Sequence, residues 1–491
     1  MKRLITAIAA TLAAASATAQ VSHSLYFMES VPQTTLLNPA RQPRANKFIA
    51  VPGANAYAAA STNIRPRDFF QKKGGKWLTP LNDGVDYSDL YDSYKRRIAF
   101  DTEATAGLMS FGWRTADGHY LSFSLSERVS ASVALPSDLL KIGDKGLPSG
   151  TLLDLARLGV SAMAYTELAA AYSRTINEQW TAGVRIKLLA GTGAVRTRND
   201  KMTIRTGEDK WHVSTDLEVM AALPLKTDGC IRADGTVEVD SVEMRDFDTD
   251  RDLIKYLIPR AKNPGAAVDF GAAYKMDDRF RFSASVTDLG FLSWGRDVNR
   301  FKSRGDFDFD GIDYDLDNPE HEDDFQNAVD DCLDSIEAKC NVTLSHDRFA
   351  TALRPSVYIG AEFTPAYFLS LGLLSHTKIH ASHRVNQDFS LSATLNPYKL
   401  PASATFGYTI NTRGQSSANL GLAVRIGVFQ IYTALDYIPL KYSEYHTADG
   451  DKAAVPNNIS NINVSAGLNF IFGTKGYRDR PMVSTNSRIA E

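Results

Sequence analysis

The chain has 491 residues, a formal net charge of −3 at pH 7 and a mean hydropathy of −0.23. This charge gives no support to a polycation that binds nucleic acid through its phosphates. The length exceeds that of a usual single domain, but one large β-barrel could use all of it without a second core. The moderate polarity agrees with a barrel, because only alternate strand residues would face lipid.

The N-terminus has the features of a cleaved export signal. Two basic residues precede an apolar run over 4–15, and Ala17 and Ala19 fit the small-x-small rule of signal peptidase. We predict a signal peptide at 1–19, with cleavage between Ala19 and Gln20. A membrane-anchor helix is the alternative, but the run is shorter than the roughly 20 residues that such a helix needs. Export then leads either to the periplasm or to an outer-membrane barrel.

Residues 121–135 show most clearly the pattern that predicts the fold. Their odd positions are apolar except Glu127, and their even positions are mostly serine. Successive side chains of a strand point to opposite faces, so this segment has one apolar and one polar face. It is longer than a usual soluble strand of about 5–6 residues and exceeds the roughly 9–11 residues that cross a membrane.

The same alternation recurs along the chain. It predicts strands near 48–60, 98–113, 120–135, 162–174, 180–197, 211–221, 266–275, 279–294, 356–363, 367–378, 387–395, 402–412, 419–425, 427–437 and 462–472. Turn sequences such as Asp117-Gly118 favour hairpins between consecutive strands. Only a few short helices are predicted in loops, within 136–158 and at 253–258.

These elements predict an all-β protein, a transmembrane antiparallel β-barrel of about 14 strands, with 12–16 as the range. Closure removes the edges that an open sheet of so many two-faced strands would leave. A large soluble β-sandwich is the alternative, although its strands should be shorter. The predicted organisation is a hatch-like N-terminal segment at 20–45, a barrel at 46–473 with an acidic insertion loop at 295–348, and a polar tail at 474–491.

The chain has three cysteines, and a disulfide is compatible with an exported protein. Cys332 and Cys340 are the natural pair by proximity. Both lie in a segment that looks helical, and an unbroken helix would hold them about 12 Å apart. A disulfide requires Cα atoms within about 7 Å, so this pair forms only if the helix breaks between them. Both outcomes stay open, and Cys230 is left over.

The sequence motifs predict no catalytic, cofactor or metal site. Residues 306–311 match the start of a calcium loop, but position 12 is Asp317 instead of a bidentate glutamate, so we interpret them as an acidic strand. His376 and His380 would share a strand face but His383 would not, which is poor geometry for three metal ligands. The sequence contains no nucleophile-elbow, zincin or Walker A pattern, so we predict that the protein is not an enzyme.

Several charged residues fall at positions that a barrel would turn toward its lumen. They lie on two neighbouring predicted strands and are Arg185, Lys187, Arg196 and Arg198 on one, and Asp216 and Glu218 on the other. Ion pairing that fills the lumen is the favoured interpretation. A path for a substrate or an ion is the alternative.

Three sequence segments carry a family resemblance. Leu37-Asn38-Pro39-Ala40 resembles the Asn-Pro-Ala element in the N-terminal hatch of the FadL-type fatty-acid transporter superfamily and of the related PorV-like barrels. Residues 268–274, followed by 283–291, resemble a hairpin of those barrels. Over most of 20–473 the chain is similar to an uncharacterised Bacteroidetes-type outer-membrane barrel family of unknown function. This resemblance implies about 14 strands and an N-terminal segment tucked into the lumen.

The resemblance also implies a function. A FadL-like barrel would pass small hydrophobic or amphipathic molecules passively across the outer membrane, with Asn38, Pro39 and Ala40 anchoring a movable hatch. The alternative is a PorV-like barrel that docks secreted or surface proteins, which the insertion at 295–348 favours because large exposed loops carry recognition. The expected partners are outer-membrane lipid and either a small apolar ligand or a secreted or surface protein. We expect no cofactor and no nucleic acid.

Overall fold

The residues that the computed structural model describes fall in ranges separated by gaps. They are 22–65, 71–73, 76–78, 91, 94, 97–143, 148–208, 210–231, 237–244, 263–309, 341–379, 385–397, 401–412, 415–446, 452–456 and 461–474. Several predictions therefore concern residues outside this set, namely the signal peptide at 1–19, Cys332, Cys340, Asp317, His380, His383 and the tail beyond Thr474. They stay predictions.

Helices are few and short among the described residues. They are the one-turn α-helix α1 (His23–Tyr26) and the 3-10 helices η1 (Pro32–Leu36) and η2 (Ser137–Gly143). No described helix has the length and apolar character needed to cross a membrane.

Strands form most of the described structure. They are β1 (Ala45–Ala50), β2 (Asn55–Thr62), β3 (Gln71–Lys73), β4 (Lys76–Leu78), β5 (Arg97–Arg114), β6 (Tyr120–Pro136), β7 (Leu152–Asp154), β8 (Gly159–Thr175), β9 (Trp180–Arg205), β10 (Trp211–Ala222), β11 (Leu225–Ile231), β12 (Val237–Met244), β13 (Pro264–Lys275), β14 (Phe280–Trp294), β15 (Val298–Phe309), β16 (Asn341–Ser345), β17 (Phe349–Ala352), β18 (Ser356–Ala366), β19 (Leu369–Ile379), β20 (Val385–Leu395), β21 (Ala402–Asn411), β22 (Ser416–Ile426), β23 (Phe429–Pro439), β24 (Tyr442–His446), β25 (Lys452–Pro456) and β26 (Asn461–Thr474).

Fourteen strand positions, counted over the described ranges, close into a barrel. β1 and β2 together occupy one position, because both pair with β5 on one side and with β26 on the other. Antiparallel pairing then continues from β5 through β6, β8, β9, β13, β14, β18, β19, β20, β21, β22 and β23 to β26. The predicted all-β, antiparallel barrel and its strand number are confirmed.

The two faces of the wall carry opposite kinds of side chain. On β20, Phe389 and Leu391 are 50% and 60% exposed, whereas the neighbouring Ser390 and Ser392 are buried. A soluble barrel would bury the apolar face and expose the polar one. This wall exposes its apolar face to the surroundings and turns its polar face to the lumen, as a barrel in lipid does.

The connections differ between the two ends of the barrel. Short turns lie at one end, at 115–119, 176–179, 276–279, 367–368 and 427–428. Ala45 of the first strand pairs with Thr474 of the last strand at this same end. The short turns and the paired ends of the first and last strands therefore define one end of the barrel, and the longer connections lie at the other.

One strand extends the wall beyond the ring. β9 has 26 residues, and its first half pairs with β13 while its second half pairs with β10. β10 pairs onward with β15, and β15 with β16, so these strands build a raised wall at the end with the longer loops.

Three predicted elements differ from the structure. The predicted insertion loop at 295–348 is not a loop throughout, because β15 and β16 lie within it and find hydrogen-bonding partners in the raised wall. The predicted strand at 48–60 breaks into β1 and β2, with Gly53 at φ +69° between them. The predicted helical region at 136–158 contains η2 but also the strand β7. The acidic-strand interpretation of 306–311 holds for the described part, since Asp306 lies on β15.

Candidate functional site in the barrel lumen

The N-terminal segment, which we define as residues 22–44, lies inside the ring of strands. Its apolar side chains pack against inward-facing wall residues in one buried cluster that includes Leu25, Tyr26, Phe27, Met28, Tyr358 and Tyr432. Gln33 Nε2 donates to Asn469 Oδ1 on β26 at 2.8 Å, and Ser285 Oγ on β14 donates to the Leu37 carbonyl at 2.7 Å. The segment is therefore held from opposite sides of the lumen.

Asn38 is fully buried, and its side chain makes three hydrogen bonds. Its Oδ1 accepts a hydrogen bond from the Ala40 amide at 2.9 Å, which closes a tight turn over Pro39. Its Nδ2 donates to the Tyr26 hydroxyl at 3.1 Å and to the Ala284 carbonyl of β14 at 3.3 Å. One amide side chain thus joins the turn, helix α1 and the wall.

Two wall glycines make room for this turn. A methyl group at Gly271 on β13 would overlap Asn38 Oδ1 and lie 2.9 Å from Pro39 Cδ. A methyl group at Gly183 on β9 would overlap the Pro39 carbonyl and lie 2.6 Å from the Ala40 amide nitrogen. The Asn38–Ala40 turn therefore rests directly on backbone, and any side chain at either position would displace it.

A second polar contact holds the end of the segment. The buried Arg41 donates to Glu362 Oε2 on β18 at 3.1 Å. Glu29 pairs with Arg281 on β14 and lies 3.8 Å from Arg41. Arg44 Nε also lies 3.7 Å from Glu29 Oε2, so three guanidinium groups surround two carboxylates, which offsets the cost of removing the carboxylates from water.

Beside the segment, three cations and three anions form one network on the lumen face of β6, β8, β9, β13 and β14. They are Arg128, Arg185, Lys187, Glu167, Asp269 and Asp288. Arg128 donates twice to Asp288, at 2.8 and 3.1 Å, and Lys187 Nζ lies 2.6 Å from the same carboxylate. The equal numbers of charges allow the network to stay buried without a net charge.

A β-bulge directs Asp288 into this network. Ser283, Ser285 and Thr287 face the lumen by alternation, so an unbroken strand would turn Asp288 toward lipid. The register shifts at Val268/Phe270, Asp288 adopts φ 60°, and its amide donates to Asp269 Oδ1 at 2.7 Å. Bulges of this kind re-aim a side chain.

The predicted lumen charges are found, but with different partners. Arg185 and Lys187 face the lumen and join the network above. Asp216 pairs with Arg304, and Glu218 pairs with Arg300, both in the raised wall. Arg185 and Lys187 do not meet the acids of β10, because β9 pairs with β13 along its first half and reaches β10 only along its second half, where Arg198 lies opposite Glu218.

The other two predicted members of that set lie in the upper half of β9. Arg196 donates to the Ala350 carbonyl at 3.4 Å, and Arg198 pairs with Asp200 on the surface. Neither belongs to the lumen network. The sequence did not predict the other four members of the lumen network, which are Arg128, Glu167, Asp269 and Asp288. One signal was present for Asp288: the apolar positions shift from even to odd between Phe282 and Leu289 of one strand, which indicates a bulge.

A cavity separates the N-terminal segment from part of the wall. The segment contributes Leu25, Leu36 and Leu37 to its lining. The wall contributes aromatic, small and polar residues from several strands, among them Tyr57, Gly107, Met109, Ser124, Arg185 and Tyr432. The cavity is mainly apolar with a few polar groups at its edges, which is the usual composition of a small-molecule site.

The cavity borders a part of the wall where strand pairing is interrupted. The break between β1 and β2 lies beside a bulge in β5, where the register shifts between Gly107 and Met109. Here the Gly53 amide donates to the Gly107 carbonyl at 3.1 Å across the two interruptions. Both irregularities sit where the cavity meets the strands.

Of the predicted histidine group, His376 is described and faces the lumen on β19. Its Nδ1 lies 3.1 Å from Nε2 of His23 in helix α1 and 3.8 Å from Oδ2 of Asp388 on β20. Burial lowers the pKa of His23, and the neighbouring His376 lowers it further, so the neutral imidazole is favoured. Among the three cysteines, Cys230 is the one within the described residues, and it lies on β11.

The family of the chain follows from a match that spans most of it. The model of a family described as "Family of unknown function (DUF5723)" matches residues 39–436. The chain belongs to this family. The match begins at Pro39, inside the Asn-Pro-Ala turn, and runs through the barrel to β23. The predicted membership in an uncharacterised barrel family is therefore confirmed, while the Bacteroidetes origin stays a prediction.

Several solved structures resemble this DUF5723 chain in fold. They include the toluene transporter TbuX of Ralstonia pickettii (9% identity, TM-score 0.40, 92% of this chain and 98% of that chain). They also include a FadL homologue of Pseudomonas aeruginosa (12%, 0.41, 93% and 97%) and the toluene transporter TodX of P. putida (9%, 0.39, 90% and 94%). No curated protein matches the chain.

Proposed function

We propose that this protein is an outer-membrane barrel that lets small hydrophobic or amphipathic molecules pass through its wall without energy coupling. The observation that carries the proposal is the apolar cavity between the N-terminal segment and the interrupted part of the wall. Such a cavity gives an apolar molecule a place to leave water before it reaches lipid. The exposed apolar face of the strands supports location in a membrane.

The route follows from the positions of the cavity and the wall break. A molecule that enters from the end with the longer loops would meet the N-terminal segment, which fills the lumen below it. The side of the cavity at Gly107 and Met109 offers a lateral exit toward lipid instead. The Asn38–Ala40 turn would act as the anchor of the hatch, and movement of the segment would widen the cavity.

The lining of the cavity suggests which molecules to test first. Its leucine, tyrosine and methionine side chains suit a compact apolar ligand with one ring or an acyl chain. Toluene, which two of the structural relatives are named for transporting, is one suitable probe. Decanoate is another, because its carboxylate would meet the polar edge of the cavity that Arg185 lines.

We expect Thr105→Trp to block uptake. Thr105 lies on β5 and lines the cavity, and its hydroxyl has no hydrogen-bond partner among the described residues, so the change loses no bond while it fills space. Cells that produce this variant should take up radiolabelled toluene or decanoate at close to the rate of cells that lack the protein.

Leu391→Trp is the control, because Leu391 is 60% exposed on the outer face of β20 and does not line the cavity, so a tryptophan there meets lipid only. Equal uptake by both variants, with equal amounts of folded protein in the membrane, would contradict the role of the cavity. The structural relatives reported above give no support to the docking role predicted as the alternative, so we do not develop it.

A further inference from the structure

His23, His376 and Asp388 form a cluster that the transport proposal does not use. One side-chain atom of each lies within 4.8 Å of the others, and all three residues are buried. His23 belongs to the N-terminal segment, whereas His376 and Asp388 lie on the neighbouring strands β19 and β20 and pair directly in register. The cluster therefore joins the segment to the wall.

The distances fit a single metal ion. Zinc bound tetrahedrally at about 2.0–2.1 Å would place its ligand atoms roughly 3.3 Å apart. The observed separations are 3.1 Å between His23 Nε2 and His376 Nδ1, and 3.8 Å between His376 Nδ1 and Asp388 Oδ2. Two imidazoles and one carboxylate are also the ligand types that zinc and related divalent ions prefer.

Neighbouring groups orient the three ligands. The Tyr437 hydroxyl donates to Asp388 Oδ2 at 2.7 Å, and Thr409 Oγ1 lies 3.5 Å from His23 Nδ1. If His23 Nδ1–H donates to Thr409, His23 Nε2 carries no proton and its lone pair is free to bind a metal ion. Nε2 is the nitrogen that faces the cluster. Partners of this kind fix the ring orientation and tautomer of metal-binding histidines.

Two further observations favour a cation over a simple hydrogen-bonded pair of histidines. Asp388 is only 2% exposed, and its Oδ1 has no hydrogen-bond partner among the described residues. Asp436 lies beside the cluster as well, where its carboxylate accepts from the amides of His23 and Ser24 at 2.9 and 3.1 Å. Asp388 and Asp436 therefore place two carboxylates beside the two histidines.

An ion also has a way in. A second cavity is lined by His376, Asp388 and Tyr437 together with residues of β2 and β5. Lys378 lines the same cavity, but its ammonium group pairs with Glu103. Hydrated ions could therefore reach the open side of the cluster and leave one water as the fourth ligand.

We propose that His23, His376 and Asp388 bind one divalent transition-metal ion, best matched by Zn²⁺, which fastens the N-terminal segment to β19 and β20. This site is independent of what the barrel transports. It requires only that the segment occupies the lumen as observed.

The test uses the full-length protein, exported and purified in detergent with a tag that contains no histidine. After treatment with EDTA and its removal, titration with ZnCl₂ in a calorimeter should show one site per chain. Binding should also raise the urea concentration at the unfolding midpoint, because an ion that binds only the folded form stabilises it. Co²⁺ in place of Zn²⁺ should give the visible absorption of a tetrahedral site.

His23→Ala, His376→Ala and Asp388→Asn should each weaken Zn²⁺ binding by at least about 100-fold. Loss of a residue that only hydrogen-bonds to a metal ligand already lowers metal affinity by about 10–100-fold. His23→Ala is the decisive variant, because His23 lies outside the strands and its loss leaves the barrel wall unchanged. His212→Ala is the matched control, because His212 also sits beside a carboxylate, Asp308, but is exposed. Absence of a site in the wild type, or equal binding by His23→Ala, would overturn the proposal.

Discussion

Asp288→Ala is expected to lower the free energy of unfolding by about 3–5 kcal/mol, the usual cost of removing one partner from a buried ion pair. Asp288 accepts from both Arg128 and Lys187, so its loss leaves three cations with two anions inside the wall. Unfolding in urea, followed by tryptophan fluorescence of the protein in detergent micelles, measures the loss.

Asp278→Ala provides the comparison on the surface. Asp278 pairs with Lys275 at the turn between β13 and β14, where both side chains are nearly half exposed. Exposed pairs contribute at most about 1 kcal/mol, so this variant should be close to the wild type. Asp288→Asn separates charge from shape, because it keeps the size of the side chain. Wild-type stability in Asp288→Asn would show that the charge of Asp288 does not hold the network together.

Gly271→Ala is expected to release the N-terminal segment while the barrel remains folded. The added methyl group would occupy the space of Asn38 Oδ1, so the Asn38–Ala40 turn must move away from β13. Alanine is compatible with a strand, and the strand itself loses no hydrogen bond. We expect faster cleavage of residues 22–44 by an added protease and a marked rise in the entry of large antibiotics into cells.

The effect of Gly271→Ala can be compared with two other changes. Gly159→Ala is a control on another strand, where the new methyl group would lie 3.6 Å from Thr197 Oγ1, an ordinary contact. Asn38-Pro39→Ala-Ala should act as Gly271→Ala does, because it removes the same turn from the other side. If cells with Gly271→Ala or Asn38-Pro39→Ala-Ala resist antibiotics as well as the wild type, and take up probes equally, the hatch role is wrong.

The barrel wall could be predicted from sequence because its alternation is a local property. The strand predicted at 120–135 is β6 at Tyr120–Pro136, and that predicted at 266–275 is β13 at Pro264–Lys275. In lipid, every second residue of a strand must be apolar, so the face of each side chain follows from its position alone. The lumen-facing placement of Arg185 and Lys187 was correct for this reason.

The partners of those charges could not be predicted in the same way. They depend on which strands are neighbours and on register, and β9 changes neighbour half-way along its length. A bulge then reverses the face of Asp288, which simple alternation assigns to lipid. The Asp288 carboxylate is therefore placed by a register shift between β13 and β14, and the sequence of one strand does not contain that information.

The contacts of the N-terminal segment were even less predictable from the sequence. Asn38 was singled out by its motif, and the structure gives it four contacts at the centre of the lumen. His23 had no motif, and it meets His376 and Asp388 across more than 350 positions of sequence. Contacts between an irregular segment and a barrel wall follow from the closed three-dimensional shape, for which residue spacing gives no pattern.

The two neighbours of β9 also have a consequence for the order of assembly. β10 follows β9 after the short connection at 206–210, whereas β13 arrives only after 223–263. Strands close in sequence pair sooner because less chain entropy is lost when the loop closes. We therefore expect the second half of β9 to pair with β10 first, and this pairing ends at Ala194 opposite Ala222. The β9–β10 hairpin then leaves only the first half of β9 open for pairing. Because β10 ends at Ala222, β13 can pair with β9 only below that point, and the hairpin therefore sets the register of β13.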